Sequence, residues 1–121
     1  MKPSGSRRVV FTVYEGVSLL DLAGPLEAFR VADAFSPSRG RRAGYECTVV
    51  SSHGGRVMTA DGVELVTTSV RSEAKKAIDT LVVPGGFLVD DVTRDRALVQ
   101  WIAKMRLGAG GYARCALAAS F

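Results

Sequence analysis

Few residues in this 121-residue chain carry reactive groups, and they are widely spread. Two cysteines, Cys47 and Cys115, flank a single histidine, His53. A metal site needs three or four ligands at tight spacing, which this set does not offer. Nothing in the spacing recommends a disulfide either. Cys47 adjoins Thr48, Val49 and Val50 and reads as a small core residue. His53, in Ser51-Ser52-His53-Gly54-Gly55, reads as a solvated loop residue. Backbone chemistry is better placed. The apolar run Leu81-Val82-Val83 ends at Pro84, which has no N–H for a sheet ladder, and Gly85 and Gly86 follow. If a strand stops there, bare N–H groups point into the crevice where open α/β sheets hold ligands. On their own, the same three residues read first as a tight turn.

That backbone site requires a parallel sheet. Residues 8–14 read as a first strand, continuous in β-branched and aromatic types and so covered on both faces. Ser18 is placed to cap a short apolar turn at Leu19, Leu20 and Leu22, and Pro25 fits the first turn of a longer helix. Leu26 and Phe29 share that helix's apolar face, up to about Phe35. Residues 45–51 read as the second strand. Two short strands, 56–59 and 63–67, flank Asp61-Gly62, a hairpin signal. A short polar helix spans 72–77, before the strand at 81–83. Asp90 or Asp91 can then cap a helix whose face is Leu98, Trp101, Ile102 and Met105. Strands alternating with helices predict a three-layer α/β fold with a mostly parallel sheet.

Composition agrees with one globular domain: 47% apolar, 23% charged, net charge +4. The basic surplus lies in a polar start with Lys2, Arg7 and Arg8, and in a loop with Arg39, Arg41 and Arg42. Both read as solvated. Neither has interleaved aromatics or a helical stripe, so direct nucleic-acid binding is not expected. No run is long and apolar enough for a membrane span, and no secretory core opens the chain, so a cytoplasmic location is expected.

The run Val13-Tyr14-Glu15-Gly16-Val17 through Leu20-Asp21-Leu22-Ala23-Gly24-Pro25-Leu26-Glu27-Ala28-Phe29 resembles the ThiJ/PfpI branch of the class I glutamine-amidotransferase-like superfamily. The closer resemblance is to the amino-terminal sensor domains of AraC/XylS-type transcription regulators, with isonitrile-hydratase-like enzymes next. Val82-Val83-Pro84-Gly85-Gly86 and Leu98-Val99-x-Trp101-Ile102 fit both groups. The resemblance covers about residues 8–104. It implies a flavodoxin-like domain, incomplete at its carboxyl end, and a ligand pocket made by Glu15, Asp21, Pro84, Gly85 and Gly86. Asp21 matches an acid/base position of the enzymes. Gly85 and Gly86 match an oxyanion-holding turn, and Glu15 a rim position. A carboxylate at Asp21 would also suit a helix start without any such role. The family is often dimeric. No cofactor or metal is implied.

The family's nucleophile should follow at a strand-to-helix elbow reading Ser-Val-Cys-Thr-Gly-Ser-Phe. This chain instead has Arg114-Cys115-Ala116-Leu117-Ala118-Ala119-Ser120-Phe121, after Gly108, Gly110 and Gly111 interrupt the expected strand. With suitable synonymous codons, the tail from Met105 read one base earlier spells Ala-Pro-Arg-Cys-Gly-Arg-Leu-Arg-Ser-Val-Cys-Thr-Gly-Ser-Phe. Three segments are therefore expected: a basic disordered tail at 1–7, the family-like part at 8–105, and a departing tail at 106–121 that is out of frame. No catalytic residue is assigned. Three readings stand side by side. One is a truncated small-molecule-sensing domain lacking DNA-binding and catalytic activity. The second is a fragment of a cysteine-dependent hydratase or hydrolase, and the third a gene relic.

Overall fold

The computed structural model describes residues 6–35, 44–73, 77–86, 94–106 and 114–117. Its centre is β1 (Ser6–Thr12), in which Val9, Val10, Phe11 and Thr12 are all buried. Because successive side chains of a strand point to opposite faces, burial of all four means that both faces are covered. β1 pairs in parallel with β2 (Gly44–Ser51) on one side and with β5 (Thr80–Val83) on the other. β4 (Glu64–Ser69) joins β2 in parallel, and β3 (Gly55–Met58) closes that edge antiparallel to β4. β6 (Arg114–Leu117) adds in parallel to β5. The order is β3-β4-β2-β1-β5-β6, a six-stranded, mostly parallel sheet. With α1 (Leu19–Ala34), α2 (Val70–Glu73) and α3 (Arg96–Arg106), this is the expected three-layer α/β fold.

One core unites the layers. Phe29 of α1 packs edge-on against Phe11 at 6.1 Å between ring centroids and against Tyr45 at 4.8 Å. Leu98 and Trp101 of α3 are buried in the same cluster as Val10, Leu81 and Val82. The stripe at spacings of three and four is therefore core. The hairpin forms at Asp61-Gly62, where Gly62 has φ +87° and Thr59 donates its N–H to Val63.

Three expectations change. Pro25 does not open a helix: α1 is continuous from Leu19, and Pro25 lies inside it. Its missing N–H deprives only the Asp21 carbonyl of an intrahelical partner, and packing holds the rest of the helix together. The polar helix near 72–77 is α2, which starts earlier, at Val70, while Ala77 is not helical. Finally, Arg8 is no solvated tail residue, being 3% exposed. Its side chain forms a buried ion pair with Glu73, and its N–H donates to the Asp79 carboxylate at 2.6 Å. Asp79 in turn donates its N–H to the Arg8 carbonyl at 3.0 Å. A sequence pattern does not reveal which arginine will find a buried acid 65 positions away. The basic loop with Arg39, Arg41 and Arg42, and the candidate caps Asp90 and Asp91, lie outside the described residues.

Removing one partner of a buried pair strands the other charge, so Glu73→Ala should cost about 3–5 kcal/mol in urea denaturation. Combining it with Arg8→Met should recover most of that loss. An unchanged unfolding midpoint for Glu73→Ala would show that the pair is not held in the folded chain.

Candidate functional site

The site is built on the loop between β1 and α1, residues 13–18, at the carboxyl ends of the parallel strands. On one side it is joined to the turn after β5. The Tyr14 hydroxyl donates to the Pro84 carbonyl at 2.7 Å, Ser18 donates its N–H to the Gly85 carbonyl at 2.8 Å, and Val17 bridges antiparallel to Gly86. On the other side it is joined to the hairpin. Gly16 donates to the Met58 carbonyl at 3.0 Å, Ala60 donates to the Val17 carbonyl at 2.9 Å, and the Met58 N–H donates to the Glu15 carboxylate at 2.7 Å. Gly86 leaves only a tight space for a side chain. A Cβ there would lie 3.1 Å from the Gly16 carbonyl oxygen and 3.2 Å from the Tyr14 hydroxyl. That is the structural need for the second glycine, beyond any turn preference.

Ser18 stands at the N-cap of α1, but its side chain makes no capping bond. Asp61 at the hairpin tip acts instead, its carboxylate accepting the Leu19 N–H at 3.0 Å. Nothing local in the sequence signals this, since Asp61 also satisfies an ordinary hairpin pattern. At the other helix Asp95 is the cap: its carboxylate accepts the Leu98 N–H at 3.1 Å and the Ser52 hydroxyl at 2.9 Å. The signal for it was a carboxylate three residues before the first core position, Leu98.

Among the expected site residues, Asp21 lies one helical turn past Ser18 and is 6% exposed, and its Oδ2 has no hydrogen-bond partner among the described residues. A buried acceptor left open is costly unless something supplies a donor. The N–H groups of Gly85 and Gly86 donate to no described residue. Asp21 and the Gly85-Gly86 turn thus share one end of the sheet, joined through Ser18. Pro84 is buried and offers its carbonyl to Tyr14. Glu15 faces elsewhere. It lines an adjoining cleft of about 460 Å³, walled by Tyr14, residues 51–54, Arg56, Val57 and residues 94–97. The residues that line this cleft do not include Asp21, Gly85 or Gly86.

Both cysteines can be placed by the ladder. Cys47 pairs with Val9, Val9 with Thr80, and Thr80 with Arg114, next to Cys115. Three inter-strand steps separate the two thiol-bearing strands by about 14 Å. A disulfide requires Cα atoms within about 7 Å, so the two do not pair within one chain. Cys115 is level with Leu81, inside β6. Gly85 lies four residues further along, about 13 Å at strand rise. The thiol-bearing residue is therefore within a strand, below the turn. Cys47 is a free thiol whose ionisation is pushed up by burial and by the Asp33 carboxylate. Among the described residues no group of three His, Cys, Asp or Glu could hold a metal ion, and no helix is long and apolar enough to cross a membrane.

A doubly wound sheet with an acid on the first helix and a Gly-Gly turn after a central strand defines the class. The chain belongs to the DJ-1/PfpI family, whose model matches residues 7–118 and so includes β6. A Streptomyces lividans relative, "Uncharacterized protein in cpoL 5'region", is 41% identical over 83 residues, which are 69% of this chain and 54% of that protein. The crystal structure of an AraC family transcriptional regulator from Pseudomonas putida superposes with TM-score 0.60 at 28% identity, covering 80% of this chain and 51% of that one. Drosophila melanogaster DJ-1beta shares the fold, with TM-score 0.67 at 20% identity over 91% of this chain and 54% of its own. The chain thus spans about half the length of these relatives.

Two outcomes test the site's construction. Gly86→Ala should push the loop off the Pro84 turn and cost about 1–3 kcal/mol in thermal or urea unfolding. Iodoacetamide labelling of Cys47, resolved from Cys115 by peptide mass spectrometry, should rise with pH only above the range of an ordinary cysteine, because burial and Asp33 oppose the thiolate. Labelling with the pH profile of a free thiol would contradict the packing of β2.

Proposed function

We propose that this chain is the small-molecule-sensing part of an AraC-type transcription regulator, with its effector bound between Asp21 and the Gly85-Gly86 turn. The observation that carries the reading is the open, buried Oδ2 of Asp21 at the same end of the sheet as N–H groups with no described acceptor. Such a pair suits a small ligand carrying both a donor and an acceptor. The likeness to the Pseudomonas putida regulator supports the regulatory role. A sensor acts by binding one conformation more tightly than another and needs no turnover. Neither catalysis nor direct DNA binding is assigned to these 121 residues. The level of Cys115 with Leu81 supports this, since a cysteine-dependent hydratase needs its thiol beside the turn and its donors.

Two measurements bear on this reading. The DNA across codon 105, read one base earlier, should spell the family elbow and lead on to a helix-turn-helix pair. A shifted frame without the elbow removes the out-of-frame tail, and a stop soon after the domain favours the hydratase. On the protein, an amide-rich small-molecule panel should contain ligands that raise the melting temperature of the wild-type chain and not of Asp21→Asn. Hits indifferent to Asp21 would move the effector elsewhere.

A further inference from the structure

The cleft of about 460 Å³ beside the β1–α1 loop is lined by residues other than Asp21, Gly85 and Gly86. Its walls come from the carboxyl ends of β1 and β2, from β3, and from the start of α3. Three guanidinium-bearing residues, Arg56, Arg94 and Arg96, line it with His53, against only two acids, Glu15 and Asp95. Both acids are already engaged. Glu15 accepts the Met58 N–H, and the two oxygens of Asp95 accept from Leu98 and from Ser52. Their charge is thereby partly offset, that of Asp95 by the helix start it caps.

Two of the cations, Arg56 and Arg96, are less committed. Arg56 makes a loose 3.8 Å pair with Glu64, exposed on both sides and so of little energetic weight. Arg96 has no ion pair among the described residues. The N–H groups of Arg96 and Ala97, in the first turn of the eleven-residue α3, have no described acceptor and belong to residues that line the cleft. The Ser52–Asp95 bond ties the β2 loop to α3, so the two walls are held in register.

We propose that this cleft binds a small organic anion by its oxyanion head, a carboxylate or phosphate. Guanidinium forks on Arg56 and Arg96 grip its terminal oxygens from opposite walls, and the Arg96 and Ala97 N–H groups complete the cradle. Planar forks match either head bidentately, and charge-assisted bonds are the strong ones. The volume admits a metabolite-sized molecule. This site does not depend on the Asp21 pocket.

The test is a titration of the 15N-labelled wild-type chain with inorganic phosphate and, separately, with acetate, at constant ionic strength. The expected result is saturable shifts of the His53, Gly54, Arg96 and Ala97 amides by at least one of the two anions. Which anion saturates identifies the head. Arg56→Gln and Arg96→Gln, both surface substitutions, should each weaken that binding about tenfold or more. Asp21→Asn should leave it unchanged, which separates this site from the proposed effector pocket. Non-saturable shifts with both anions, saturable shifts centred outside these residues, or wild-type affinity in either arginine variant would each overturn the proposal.

Discussion

Buried backbone must find hydrogen-bond partners, and in this protein that requirement falls most heavily on residues 13–18. The loop leaves the central strand with its polar groups facing two neighbours that are distant in sequence. The Tyr14 hydroxyl and the Ser18 N–H donate to the Pro84-Gly85 turn, while the Glu15 carboxylate, the Gly16 N–H and the Val17 carbonyl find their partners on Met58 and Ala60. The loop therefore acts as a short extra strand between two elements that do not otherwise meet there. α1 begins where it ends, so the position of Asp21 is inherited from this double stitching. The missing side chain at Gly86 is what lets the two segments approach.

A consequence is that the carboxyl end of the sheet is divided in two. On the Ser18 side lie a buried carboxylate with an open oxygen and the bare amides of a half-buried turn. On the Glu15 side lies an open, net-cationic cleft against α3. Topology explains the division. β1 connects outward to β2, whereas β5 connects to β6 on the other side, and such a reversal leaves a crevice above the strand ends. The loop crosses that crevice and gives each side different chemistry.

The opposite end of the sheet is held by charge. Arg8, Glu73 and Asp79 join the start of β1 to α2 and to the approach to β5 through one buried ion pair and two backbone-mediated bonds. A buried pair is a weak source of net stability, but it penalises any register that strands one partner. It complements the continuous apolar β1, which by itself would tolerate slippage.

Much of this was legible in the chain. The unbroken apolar strands at 9–12 and 81–83, the Asp61-Gly62 hairpin, the stripe from Leu98 to Met105 and the alternation of elements report local preference and periodicity, which act between near neighbours. The resemblance carried by Leu20 to Pro25 and by Pro84-Gly85-Gly86 picked out residues that the fold brings to one end of the sheet. Other assignments needed the folded chain, because they join residues far apart: Asp61 rather than Ser18 capping α1, Arg8 buried against Glu73, Glu15 fastening the hairpin, and Asp95 tying a loop to α3. The sequence by itself determined which segments become strands and helices, since those follow from each segment's own side chains. Which polar group satisfies which was decided only in three dimensions, where a donor's partner is set by proximity after packing.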